Sequence, residues 1–339
     1  MHTIKKVTGG LSSGVKVMRV TVRRWTRGDA KQIFAILSAS FAPNSRFTNA
    51  TEPATNGYIE AVRTRGEVFV ASSGDRVIGC IMAQQRSFMS AGKLVRVGAV
   101  GPNCVLPGFR RAGVGDALLC SAELYLKRRR LSVSMVSTRP GSAGHEHSLH
   151  GGYRECFQLE DLTCPASQVT KLDSSSRLCA TFDWPAVSTL SHIFAAACKR
   201  GEVYIPHTRR YWKWLTNPLF CKPKHSLITL KHKQTPVGYM IVSQRHDTAV
   251  IVDTATLPTP STDGTVAMLQ LAAQAASEEG CSRLTMSLCD RPELRSLANK
   301  IGMRPSKRHA IMVKYLKGAD AAIAQLARMP HRLSCGDIW

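Results

Sequence analysis

Nowhere in its 339 residues does this chain carry an apolar run approaching the roughly 18 residues of a membrane span. The N-terminus also lacks the apolar core of a secretory signal. Its acid-free start, with Lys5, Lys6 and Lys16, would suit a transit peptide, but a strand-like pattern already begins at Val15. No Cys-x-x-Cys pair occurs among the 11 cysteines, which excludes the usual zinc spacings. Their odd number, and apolar settings such as those of Cys80, Cys120 and Cys289, predict reduced, buried thiols and an intracellular, cytoplasmic protein. Acidic residues are scarce: 23 against 46 basic ones, a net charge of +23. The excess runs through both halves, so it is a property of the whole chain. It suits a phosphate-rich cofactor, an acidic substrate or nucleic acid, or simply a self-repelling soluble surface. The run Lys127–Arg130 closes a helical pattern, where positive charge is favourable anyway, so nucleic acid is not the favoured partner.

What is present is enough apolar residue, 44%, for a real core, and enough length for about two domains. Residues 17–24 read as a strand, and Asp29 opens a helical pattern with Ile33, Phe34, Ile36 and Leu37. A second helical segment covers 57–64. Two strands meet at Ser73-Gly74-Asp75, a hairpin signal, and residues 94–106 form another strand. A helix follows over about 115–127, then a strand over 131–137, a polar loop with a short helix, and a strand pair over 153–162. The polar stretch around Asp173–Ser176 marks a boundary. Asp183 is placed to cap a helix reaching about residue 200. The same order of elements then recurs, with a turn near Lys233-Gln234 and an amphipathic helix over 264–279. This internal repeat predicts two similar domains.

The most specific stretch is "VLPGFRRAGVGDALL", from Val105 to Leu119, where a strand hands over to a helix. Gly113 and Gly115 permit a sharp turn and close approach of a ligand. The unpaired N–H groups of the helix start favour an anion, and Arg110 and Arg111 add positive charge. The P-loop signature is absent, and so is Gly-x-Gly-x-x-Gly, because Leu118 stands at the third glycine position.

This stretch resembles the acetyl-CoA-binding motif of the GNAT N-acetyltransferase superfamily, Val-x-Pro-x-aromatic-Arg-x-x-Gly-x-Gly/Ala. Val105, Pro107, Phe109, Arg110, Gly113 and Gly115 supply every anchor. The hairpin with Asp75 and Gly79, and the Gly152-Tyr153 pair, are similar to family features. The second half resembles the second repeat of tandem GNAT proteins, through "RRYWKWLTNP" and the paired strands after it. At the matching turn it has "LPTPSTDGTVAMLQL", with Asp263 and no arginine. The resemblance implies an α/β (α+β) chain of two tandem GNAT-like domains, each a mixed, mostly antiparallel sheet flanked by helices. The expected divisions are an extension over 1–16, a cofactor-binding domain over 17–165, a linker and helix over 166–200, a degenerate second domain over 201–317 and a tail over 318–339.

The resemblance also implies a reaction: an N-acyltransferase moving acetyl from acetyl-CoA to a primary amine, with no metal. Cys104 and Val105 would hold the thioester carbonyl by their backbone, and Arg110, Arg111, Ala112, Gly113, Val114 and Gly115 the diphosphate. Where the family pattern has Phe-Tyr, this chain has His147-Ser148. Ser148 is a poor acid but could position a water, and His145, His147 or His150 could donate a proton. The strand "GKLVRVGAVGPNCV" carries no acidic residue to serve as base, which leaves a water chain or the C-terminus near Asp337–Trp339. Arg46, Tyr211, Trp212 and Trp214 could line an acceptor cleft or fill a packing interface. The acceptor itself, a small amine or an amino group on a larger molecule, is not specified. The alternative reading is a catalytically weak or inactive acyl-CoA-binding regulatory module.

Overall fold

The computed structural model describes residues 2–4, 19–41, 52–90, 92–169, 178–198, 203–209, 211–212, 225–257, 262–288, 292–316 and 331–332. The chain divides into two compact units. The first comprises Met1–Arg86, Arg96–Cys156 and Ile311–Ile323, the second Ser87–Val95, Phe157–Ala310 and Ala324–Trp339.

In the first unit, β1 (His2–Ile4), β2 (Val20–Arg24), β3 (Gly66–Ser73) and β4 (Arg76–Ser90) follow one another with antiparallel pairing. Next in the sheet are β5 (Lys93–Val105) and then β6 (Val133–Thr138), which runs parallel to β5. Helices α1 (Ala30–Ser40) and α2 (Glu52–Arg63) cover one face. Val68 and Val70 of β3 join their core, while Phe69, between them, meets Tyr125 of α3 (Val114–Arg128) edge-on at 6.0 Å. This is the period-two alternation of a strand buried on both sides. Two glycines seat α3 close to the sheet. A Cβ on Gly98 would collide with Leu126, and one on Gly79 would lie 2.9 Å from the Cys104 carbonyl oxygen and 3.1 Å from Leu118. Asp29 opens α1 as expected. Its carboxylate accepts from Arg23 at 2.7 and 2.8 Å and from the Thr26 N–H at 2.6 Å, tying the helix start to β2. After β6 comes α4 (Ala143–His150), with Ser142 as its N-cap.

Residues 154–165 form one continuous strand, β7 (Arg154–Pro165), in place of the expected pair; no glycine or proline interrupts it before Pro165. The second unit continues with α5 (Ala166–Val169), β8 (Cys179–Phe182), α6 (Val187–Ala197), β9 (Val203–Tyr204), β10 (His225–His232), β11 (Thr235–Arg245), β12 (Thr248–Thr256), α7 (Thr262–Glu278), β13 (Arg283–Leu288), α8 (Pro292–Lys300), β14 (Arg304–Tyr315) and β15 (His331–Arg332). Its main strand order is β7-β13-β12-β11-β10-β8, antiparallel except between β12 and β13. Lys233 and Gln234, at φ +48° and +70°, make the expected hairpin turn. Met240 and Val242 of β11 face the α7 core, while Tyr239 and Ile241 face α6. The two units thus share one plan of elements, as the repeat in the sequence predicts.

Two local expectations are corrected. Asp183 does not cap α6: the helix starts after Ala186, beyond Pro185, and the Asp183 carboxylate pairs with Lys231. Cys120 lies exposed on α3, whereas Cys80 is buried; Cys289 and the Asp173–Ser176 stretch fall outside the described residues.

The first unit is completed from far along the chain. Residues 311–315 of β14 lie beside β6, and the Leu316 N–H donates to the Ser132 carbonyl at 2.7 Å. Lys314 Nζ donates to both oxygens of Glu123 on α3, at 2.9 and 2.8 Å, and sits 5.7 Å from the centre of the Tyr153 ring. Tyr153 OH and Ser134 Oγ are 2.6 Å apart, and burial pushes the Tyr153 phenol far above its usual range. Lys314→Met keeps the stem but leaves the mostly buried Glu123 charge alone, and should cost about 2 kcal/mol. The urea midpoint of the single variant should fall, and that of the Lys314→Met/Glu123→Gln pair should recover most of the loss. Equal midpoints for the wild type and the single variant would contradict this account.

Candidate active site

β5 and β6 pair at only two positions, Gly98 with Ser134 and Ala99 with Met135. β5 runs on to Val105, and its Pro102 has no N–H to offer a neighbour. The strands therefore part beyond Ala99. A wedge opens between residues 100–105 and the end of β6, and the turn into α3 stands at its mouth.

That turn is built to present N–H groups. Leu106 is anchored by its N–H on the Ile78 carbonyl at 2.9 Å. A 3-10 turn over Pro107–Phe109 follows, and Arg110 Nε donates back to the Val105 carbonyl at 3.0 Å, bracing the loop across its base. Arg111 and Gly113 both lie in the left-handed region, at φ +59° and +72°, the backbone type that forms anion-binding nests. Gly113 is the N-cap of α3 and has no side chain to satisfy the helix start. The first intrahelical bond runs from the Ala117 N–H to the Gly113 carbonyl, so the N–H groups of Val114, Gly115 and Asp116 precede the helical ladder. A Cβ at Gly113 would meet nothing within 4 Å, so the space over the turn is open. Open N–H groups, a helix dipole and Arg111 beside them fit a diphosphate.

α4 borders the same turn. His147 lies against Gly115: a Cβ there would be 3.4 Å from its Cε1. Its Nδ1 is 3.5 Å from Asp116 Oδ1, and its Nε2 is 3.2 Å from Asn103 Nδ2. The same Asn103 nitrogen donates to the Gly115 carbonyl at 3.2 Å. Ser148 is buried, and its hydroxyl donates to the Gly144 carbonyl at 2.8 Å, so its proton is engaged while its lone pairs are left over. His145 is directed toward Glu155, at 4.0 Å, and His150 is exposed. The structure thus brings His147, but not His145 or His150, to the turn. Asn103 was missed in the sequence; the one available signal was a polar side chain inside the apolar run "GAVGPNCV". Among the described residues, no group of three or more His, Cys, Asp or Glu side chains is placed to hold a metal ion.

The other aromatic candidates lie elsewhere. Trp212 is fully buried in the second unit, edge-on to Tyr239 at 5.5 Å, and Tyr211 stacks on His207 at 4.0 Å. Arg46, Trp214 and Asp337–Trp339 lie outside the described residues. The second unit keeps a parting of its own: β12 and β13 pair only from Thr248/Arg283 to Ile251/Met286. The first turn of its α7, however, carries Asp263.

Comparison with known proteins agrees with this geometry. Residues 21–142 match the family model of the acetyltransferase (GNAT) domain. A search of curated proteins gives no sequence match. Among solved structures, a GCN5-related N-acetyltransferase from Anabaena variabilis superposes with a TM-score of 0.65 at 15% identity, over 88% of this chain and 73% of that one. A probable N-acyltransferase from Enterococcus faecalis V583 gives 0.65 at 13%, over 88% and 72%. A tandem GNAT protein from the clavulanic acid biosynthesis pathway gives 0.64 at 12%, over 89% and 100%. Residues 21–142 thus resemble a GNAT acetyltransferase domain, and the chain is similar in fold to a tandem GNAT protein.

The turn predicts one CoA-type ligand per chain. Gly113→Asp forces a side chain into the left-handed region and sets a negative charge at the helix start. Binding of CoA measured by calorimetry should weaken by more than about tenfold. A stoichiometry of two per chain, or unchanged affinity in the variant, would contradict the assignment.

Proposed function

We propose that the protein is an acyl-CoA-dependent N-acyltransferase that moves acetyl from acetyl-CoA to a primary amine. The observation that carries this reading is the parting of β5 and β6 immediately before an uncapped, glycine-turned helix start. Acetyl-CoA would supply an activated thioester: the amine nitrogen bonds to the carbonyl carbon, the carbon–sulfur bond breaks, and the amine proton is lost as the thiolate gains one. The chain's contribution is chiefly placement. The wedge beside Cys104 and Val105 holds the carbonyl end, and residues 110–115 hold the diphosphate end.

In this reading His147 and Ser148 serve the leaving thiolate. With its own proton on Gly144, Ser148 acts by ordering a water through its lone pairs. With Nε2 turned to Asn103, His147 presents the N–H of Nδ1, the nitrogen that faces Asp116, as a hydrogen-bond donor to the thiolate, and the proton itself comes from water. β5 brings no carboxylate, so the ammonium proton leaves through water. That same lack favours the second reading, a module that binds acyl-CoA without turnover.

Thiol release from acetyl-CoA over a panel of amines separates the two. Turnover with at least one amine is expected, and binding without release for every amine would support the module. Ser148→Ala should lower kcat modestly, by about two- to fivefold, and His147→Gln, which removes the ring N–H donor, should lower it by a similar factor. If neither variant changes the rate, the thiolate leaves without help from α4.

A further inference from the structure

We propose that Asn103 is a positioning residue: its carboxamide fixes His147 in the neutral Nδ1–H form and binds that imidazole to the Gly115 carbonyl of the phosphate turn. The inference rests on the transferase reading for its effect on acetyl-CoA, but not for its chemistry. Asn103 Nδ2 lies 3.2 Å from the Gly115 carbonyl oxygen and 3.2 Å from His147 Nε2. An amide nitrogen has two hydrogens, so one nitrogen serves both contacts. The reverse orientation of the amide would set Oδ1 against the Gly115 carbonyl, acceptor against acceptor. Gly115 therefore decides which way the amide points, and the amide decides which imidazole nitrogen carries the proton. Nε2 must accept, so the ring proton is on Nδ1, facing Asp116 at 3.5 Å.

The arrangement is not forced by local satisfaction. Asn103 Oδ1 is left buried without a hydrogen-bond partner, which costs stability. The two donations are retained against that cost. They also make the proton on His147 and the shape of the turn depend on one another. A second proton on the ring would set Nε2–H against an N–H of Asn103. The amide would then have to rotate and release the Gly115 carbonyl, two residues from the left-handed Gly113. The charged group facing the ring is Asp116 from α3, and β5 presents only the neutral Asn103; His145, on the same helix, is directed instead to Glu155 of β7.

The test uses the full chain. Nitrogen-15 NMR of histidine-labelled protein, with the His147 signals assigned by their loss in His147→Gln, should show the Nδ1–H tautomer in the absence of ligand. In Asn103→Asp, whose carboxylate accepts from Nε2–H, the proton should appear on Nε2 instead. In kinetics, Asn103→Ala should raise KM for acetyl-CoA about fivefold by freeing the Gly115 carbonyl, and should lower kcat by releasing the His147 ring. Asn103→Asp, nearly the same shape, should raise KM more, because its carboxylate has no N–H to offer the Gly115 carbonyl. In a His147→Phe background the kcat effect of Asn103→Ala should vanish while its KM effect remains. An Nε2–H tautomer in the wild type overturns the proposal, as does an Asn103→Asp variant with wild-type KM and tautomer. Failure of the wild type to bind acetyl-CoA would overturn the transferase reading instead, and the tautomer of the ligand-free protein would still decide this one.

Discussion

The structure of the first unit turns on a separation. β5 and β6 share two paired positions and then diverge, so the sheet itself supplies a slot with backbone along one wall. A strand that loses its neighbour usually exposes unpaired groups at a cost. Here the divergence comes where Pro102 has removed one donor, and the next turn swings directly into α3. The position of that helix is fixed from below by Gly79 and Gly98, which let Leu118 and Leu126 press onto the sheet. The uncapped helix start, the slot and the α4 side chains are therefore held in one frame by packing.

Both units keep this plan and differ at one turn. Each buries its central strands on two faces, and each lets a parallel strand pair part after a few residues. What separates them is electrostatic. The first sets glycines and arginines at the helix start; the second sets Asp263 in the first turn. An acidic residue at this point of the sequence works against an anionic ligand. Sheet packing tolerates such a change because the turn contributes little to the core, so fold and ligand chemistry can diverge independently.

The sequence was most legible where a property is local. Strand alternation, the Lys233-Gln234 hairpin and the Arg110–Gly115 turn depend on neighbours a few residues apart, and all can be read along the chain. It was less legible where a residue's role is set across the fold. Asp183 reads as a helix cap, yet its partner is Lys231, on a strand far ahead in the chain. Cys120 sits among apolar neighbours in sequence but on the outward side of α3. Asn103 gains its meaning only when β5, α3 and α4 converge on one carboxamide. The return of residues 311–316 to the first unit has no local mark, because Lys314 pairs with Glu123 from almost two hundred residues away.

That last contact bears on how the chain comes off the ribosome. A domain encoded by one early stretch can fold while the rest is still being made. The first unit cannot, because one of its strands is translated after nearly the whole second unit. Until then β6 waits with a bare edge, which is an invitation to wrong pairing, and Glu123 waits without its lysine. The amino-terminal unit, though first to emerge, therefore has its sheet completed only once residues 311–316 have been made.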